Sequence, residues 1–141
     1  MRAPFHLWII GILSLLWNAG GAFDYLAVKL KFDAYLSQFN ESQMAFFDDL
    51  PLWYTFAWAV GVWFSVLGSI LLLARSRVAG AAFGLSLLGL LAASYYSFVV
   101  VDSSPMRDAG PAAMAFTAAI YIVLVLLWLY ARVMTRRGVL R

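Results

Sequence analysis

An all-α fold, a polytopic membrane protein built as a four-transmembrane-helix bundle, is what the sequence predicts, and three observations predict it. Hydrophobic residues fill 65% of the 141 positions and charged residues only 12%, against roughly 45–50% and about 25% in soluble domains. Four stretches free of Asp, Glu, Lys and Arg, from Ala3 to Phe23, Leu50 to Ala74, Val78 to Val101 and Ala109 to Ala131, match the about 20 apolar residues a helix needs to cross the hydrocarbon core. Basic residues, finally, gather on one side of the membrane when four spans are threaded. A mean hydropathy of +0.86 excludes a soluble enzyme or a disordered segment, and the absence of cysteine excludes a disulfide-stapled scaffold.

The expected spans cover about 4–26, 51–74, 78–101 and 110–133, in a single membrane domain of 1–141 with an outer interfacial segment at about 28–50. The first span, with Arg2 ahead of it and Ala19-Gly20-Gly21-Ala22 near its end, has the outline of a signal peptide. Its apolar run is longer than the usual h-region of about 7–15 residues, and Trp17 and Asn18 crowd the would-be cleavage site, so the span is expected to be retained.

Between the first two spans, Tyr35, Leu36, Phe39, Phe46, Phe47 and Leu50 recur at roughly helical spacing, and Asn40 with Gln43 resembles a capping box. This predicts an amphipathic helix on the outer membrane surface, as a lid over the bundle in preference to a partner-docking face. Spans two and four begin with an acid-proline signal, Asp48-Asp49 before Pro51 and Asp108 before Pro111, and end at Arg75 and Arg132, as the helix dipole favours. Trp53, Tyr54, Tyr95 and Tyr96 would form an outer aromatic belt, with Trp8, Trp128 and Tyr130 at the inner one.

Orientation follows from the basic residues. Arg2, Arg75, Arg77, Arg132, Arg136, Arg137 and Arg141 fall on one side, and Lys29, Lys31 and Arg107 on the other with all seven acids. Both termini are therefore expected in the cytoplasm. Arg75, Arg77, Arg132, Arg136 and Arg137 make a basic, lipid-facing rim suited to anionic head groups, and no nucleic-acid partner is implied by the net charge of +3.

Small residues recur at helix-packing spacing: Gly11, Ser14, Asn18 and Ala22 in span one, Ala57, Gly61, Ser65 and Ser69 in span two, and Gly80 and Gly84 in span three with Ser86, Gly89 and Ala93 beyond. Such stripes let backbones approach closely in lipid. Spans two and three, joined by the Arg75–Arg77 turn, are expected to face each other with theirs; the other reading turns one stripe toward a second protomer or subunit.

Candidate chemistry is sparse. No cysteine excludes thiolate metal sites and iron–sulfur clusters, and no cofactor is expected. The single histidine, His6, is a candidate pigment or haem ligand only across an interface, and an interfacial anchor is the commoner role. No Ser–His–Asp set, phosphate loop or paired intramembrane carboxylate is present, so no enzyme activity is expected. The densest polar signal is Trp17-Asn18 followed by Asp24-Tyr25. As a site, Asn18 and Asp24 would line a cavity open to the outside and hold a polar solute; as structure, Asn18 joins helices and Asp24 pairs with Lys29, Lys31, Tyr25 or Arg107. Trp58 and Trp63 in span two are expected on different sides of the helix.

The run His6-Leu7-Trp8-Ile9-Ile10-Gly11, the segment from Trp17 to Tyr25, and the later Trp58-Ala59-Val60-Gly61-Val62-Trp63 and Gly68-Ser69-Ile70-Leu71-Leu72-Leu73 resemble a group of uncharacterised short four-span bacterial inner-membrane proteins, some of which carry an automated sugar-transporter label. The resemblance covers roughly the first three spans. It implies a bacterial inner membrane and brings no catalytic or binding residue with it. The expected function is an accessory, packing or assembly subunit of a homo- or hetero-oligomeric membrane complex, with a transporter of a small solute, a sugar among the candidates, working as an oligomer as the alternative.

Overall fold

The computed structural model describes residues 2–100 and 110–141, with residues 42 and 43 described by their backbone alone. Helix α1 covers Phe5–Lys29, the short α2 Asp33–Leu36, α3 Glu41–Asp48, α4 Leu52–Leu73, α5 Ala79–Tyr95 and α6 Pro111–Arg136. A π-helical turn, Tyr96–Val100, prolongs α5. Among the described residues there is no strand, and four helices, of 25, 22, 22 and 26 residues when the π turn is counted with α5, are long and apolar enough to span a membrane. Even the shortest, at about 1.5 Å per residue, exceeds the roughly 30 Å hydrocarbon core. The outer end of span three and the residues Asp102, Arg107 and Asp108 lie outside the described residues.

Burial follows the helical period. In α1 the buried residues Leu7, Gly11, Ser14, Asn18 and Ala22 form one stripe, while Ile9, Ile12, Leu13 and Phe23 face outward, as expected where the surrounding solvent is lipid. Helix α4 is buried on two sides, against α1 and α5, and α6 packs on α5. The buried residues of α6, Leu124, Leu127, Ala131 and Met134, all lie in its C-terminal half. They join Leu7, Leu72 and Phe83 in a core at the end of the bundle that carries both termini, called here the terminal end.

The small-residue stripes are used as expected only in part. A Cβ on Gly89 would lie 2.7 Å from the Ala57 carbonyl oxygen and 2.7 Å from the Gly61 nitrogen, so α4 and α5 touch backbone to backbone there. Farther along the same α4 stripe, however, Ser65 and Ser69 meet Asn18 and Ser14 of α1. Positions four apart advance about 40° round a helix of 3.6 residues per turn, so three steps carry the stripe from one neighbour to the next. Gly80 and Gly84 do not face α4: their nearest neighbours are Arg132, Ala131 and Trp128 of α6.

Three helix ends close in Schellman motifs, in which the second residue past the cap reaches back to the third carbonyl from the end. The bonds are Phe32 N–H to the Ala27 oxygen (3.0 Å), Ser76 N–H to Leu71 (2.8 Å) and Val139 N–H to Met134 (2.9 Å). The left-handed residues this requires are Lys31 (φ 57°), Arg75 (φ 58°) and Gly138 (φ 76°). The last turn buries Val139 and Leu140, and main-chain bonds of 2.9 and 3.1 Å join Arg141 to Arg75 and Arg77.

The outer segment is two short helices in place of one. It folds inward at the opposite, connector end, where Phe46 is buried beside Tyr54 and Tyr96, and Phe47 stacks on Trp58 with ring centroids 6.0 Å apart. Asn40 immediately precedes α3, and its backbone oxygen accepts the Met44 N–H (3.0 Å); the side chain of Gln43 lies outside the described residues. Tyr54, expected in an aromatic belt, is only 5% exposed. It belongs to this interior cluster because α3 covers it.

Candidate functional site: an acceptor-lined cavity

A cavity of about 560 Å³ runs from the connector end to the middle of the bundle, between α1 on one side and α4, α5 and α6 on the others. Leu16, Trp17, Asn18, Gly20, Gly21 and Asp24 line it from α1, Tyr35 from α2, Trp58, Gly61, Val62 and Ser65 from α4, Leu90 from α5, and Phe116, Ile120 and Leu124 from α6. It exists because the N-terminal half of α6 stands away from the bundle and because Gly20 and Gly21 present no side chain, with nothing within 4 Å of where a Cβ would sit. Trp17 and Phe116, ring centroids 5.8 Å apart, bridge α1 and α6 beside it.

Asn18 lies one residue past the middle of α1, deeper than the predicted span suggested, because the helix continues to Lys29. Its amide donates to the Ser65 carbonyl (3.0 Å) and to Ser69 Oγ (2.9 Å). The Ser65 carbonyl can only accept, which fixes the amide orientation. Ser14 Oγ gives its proton to the Gly11 carbonyl (3.0 Å), so it must accept from Ser69 Oγ at 2.8 Å. The chain therefore runs Asn18 to Ser69 to Ser14 to Gly11, with every proton committed. Both N–H groups of Asn18 are used, and its carboxamide oxygen is left with no hydrogen bond from a described residue although the residue is only 8% exposed. No fully buried side-chain polar atom lacks a partner, so that oxygen opens onto the cavity.

Asp24 sits on the same wall toward the connector end, and one carboxylate oxygen accepts the Tyr35 hydroxyl. The cations weighed for this role are placed elsewhere or undescribed. Lys29 Nζ bonds Thr55 Oγ1 (2.9 Å) and lies 5.7 Å from the Trp58 ring centre, and Arg107 is outside the described residues. Burial, with the Asp24 hydrogen bond and negative charge, pushes the Tyr35 phenol well above its ordinary value, so it remains the donor.

Trp17, Asn18 and Asp24 thus share one wall. Tyr25, singled out with them, does not line the cavity; its ring packs edge-on against Trp58 (4.9 Å) and Trp63 (6.2 Å). Trp58 does line it and Trp63 does not. His6 is far away at the terminal end, where Nδ1 lies 2.5 Å from the Tyr130 hydroxyl. Among the described residues no group of three or more His, Cys, Asp or Glu could hold a metal ion. The rim arginines Arg77, Arg132, Arg136 and Arg137 are exposed, and Arg75 is partly covered by the C-terminal turn, donating to the Val139 carbonyl (3.1 Å). Sequence reasoning missed Tyr35, Phe116 and the glycine opening. No local pattern joins Tyr35 to Asp24, since the chain reverses between them.

Fold and cavity together define a multi-pass α-helical membrane protein with a polar pocket inside the bundle. Comparison with protein-family models, curated proteins and solved structures finds no match, and the functional reading rests on the geometry above.

Proposed function

We propose that this membrane protein binds a small organic solute inside its bundle, as a carrier does, and that the solute is a protonated amine. The observation that carries this reading is the one-sided supply of hydrogen-bonding groups: the Asn18 oxygen and the second Asp24 oxygen both face the cavity as unpaired acceptors. Among the described residues no lysine or arginine lines it. An ammonium group supplies the missing N–H donors and the balancing charge, while Trp17, Trp58 and Phe116 suit an apolar body and attract a cation through their ring faces. About 560 Å³ lies within the roughly 300–1,000 Å³ of small-molecule pockets. A sugar would use the same rings and acceptors but leave the carboxylate uncompensated. The cavity stops at the packed core around Leu7, Phe83 and Leu124, which favours a carrier that must rearrange over an open channel.

The α1 and α4 stripes and Gly89, part of what suggested an accessory or assembly subunit, are occupied within the chain by α1–α4 and α4–α5 packing, while Gly80 and Gly84 border α6. The reading therefore needs no oligomer, and among the described residues Asp24 is the one acid lining the cavity. The seven-to-three split of basic residues supports an orientation with both termini cytoplasmic, and the bacterial inner membrane rests on the resemblance alone.

The test is calorimetric titration of the protein in neutral-lipid nanodiscs with benzylammonium and with methyl glucoside. Saturable amine binding, weakened about tenfold or more by Asp24→Asn and by Asn18→Leu with helicity retained, is expected from the loss of a charge-assisted or buried hydrogen bond. No saturable binding of either compound, or a preference for the glucoside, overturns the proposal.

A further inference from the structure

A second groove lies at the opposite end of the bundle, between α5 and α6, with a volume of about 400 Å³. Three arginines line it: Arg77 just ahead of α5, and Arg132 with Arg136 one turn apart on α6. Its floor is the buried Gly80 and the half-buried Gly84, where a Cβ would come only into ordinary contact with Arg132 and Trp128, at 3.8 and 3.5 Å. The Arg132 guanidinium lies 5.0 Å from the Trp128 ring centre, and Trp128 Nε1 would sit 3.5 Å from a Cβ on Gly84, so the indole N–H adjoins this floor. None of the three guanidiniums makes a hydrogen bond or ion pair with a described residue. Every described acid, Asp24, Asp33, Glu41, Asp48 and Asp49, belongs to the connector end.

We infer that this groove seats the phosphate of one anionic phospholipid. Three guanidiniums lining one groove, with no counter-charge beside them among the described residues, match a phosphodiester, which accepts their paired N–H groups. The groove also continues into apolar surface: Leu85 (45% exposed) and Leu88 (64% exposed) extend the rows of Ala81 and Gly84 toward the middle of the membrane, where an acyl chain would lie. A second copy of the protein fits less well, because two such grooves face to face would oppose six arginines. The site is specific where the basic rim as a whole is not, since it requires the glycine floor and these three arginines together.

The test is native mass spectrometry of the detergent-solubilised protein titrated with phosphatidylglycerol or phosphatidylcholine. One phosphatidylglycerol is expected to be retained about tenfold better. Arg132→Gln and Arg136→Gln should each weaken retention by about fivefold, and Gly84→Leu should weaken it with the charge intact. Arg2→Gln, which removes an exposed arginine outside the groove, should change nothing. Equal retention of the two lipids, or equal effects of Arg2→Gln and Arg132→Gln, overturns the inference. Displacement of the lipid by excess inorganic phosphate assigns the site to a free anion, and a dimer lost in Gly84→Leu without lipid dependence assigns it to a second copy; either result overturns the lipid assignment. Should Gly84→Leu fail to fold, the arginine variants decide alone.

Discussion

Two single-methyl substitutions, Gly89→Ala and Gly21→Ala, should move stability in opposite directions. The new Cβ at position 89 would meet the Ala57 oxygen and the Gly61 nitrogen, each at 2.7 Å. These are backbone atoms of α4 and have no rotamer by which to withdraw, so α4 and α5 must separate. Separation also stretches the 2.5 Å bond from Ser86 Oγ to the Gly61 carbonyl. Overpacking of this kind costs about 1–3 kcal/mol, and a weakened interhelical hydrogen bond adds about 0.6 kcal/mol, giving about 2–3 kcal/mol in total. At Gly21 a Cβ meets nothing within 4 Å, and replacing a helical glycine by alanine gains about 0.5–1 kcal/mol. Both glycines are helical, so this gain applies to each and cancels between them. The two variants should therefore differ by the clash, about 2–3 kcal/mol, or roughly 30- to 150-fold in the folding equilibrium. Reversible unfolding in mixed micelles of rising dodecyl sulfate fraction, followed by circular dichroism, measures both. A Gly89→Ala protein as stable as the unsubstituted one would refute the backbone contact between α4 and α5. An equal loss in Gly21→Ala would refute the open cavity wall.

Two further outcomes follow from the lid and the topology. The folded Tyr35 phenol titrates above its ordinary value near 10, so the stability it contributes is fully present below about pH 10 and is lost as pH rises through the raised value. In an ultraviolet phenolate titration, the signal missing from Tyr35→Phe should fall in the latest-ionising fraction, and an early loss would place the hydroxyl in water. Reporters fused at residue 1 and at residue 141 should signal from one face of the membrane, the cytoplasmic one, because the spans number four; signals from opposite faces would remove a span.

The sequence made the spans legible because insertion depends on the summed apolarity of about 20 consecutive residues, which can be read along a line. The helix ends were less legible. Hydropathy placed the first boundary near residue 26, whereas α1 runs to Lys29 and closes with Lys31 in the left-handed conformation. Hydrogen-bonded caps, and not the lipid boundary, decide where a helix stops. The buried side of α1 was visible in the spacing of Gly11, Ser14, Asn18 and Ala22, but the partners of the α4 stripe were not. Its drift around the helix sends Gly61 to α5 and Ser69 to α1, a consequence of where two other helices stand.

What the chain alone determined is a four-helix membrane protein and the gathering of its arginines toward one end, both set by local composition against a roughly 30 Å apolar layer. Only the tertiary structure decided that Asn18 spends both amide protons on α4, that Tyr35 returns to Asp24, and that α6 leaves a cavity beside them. Direction of proton donation and empty volume are properties of several helices held together, and no single stretch of sequence carries them.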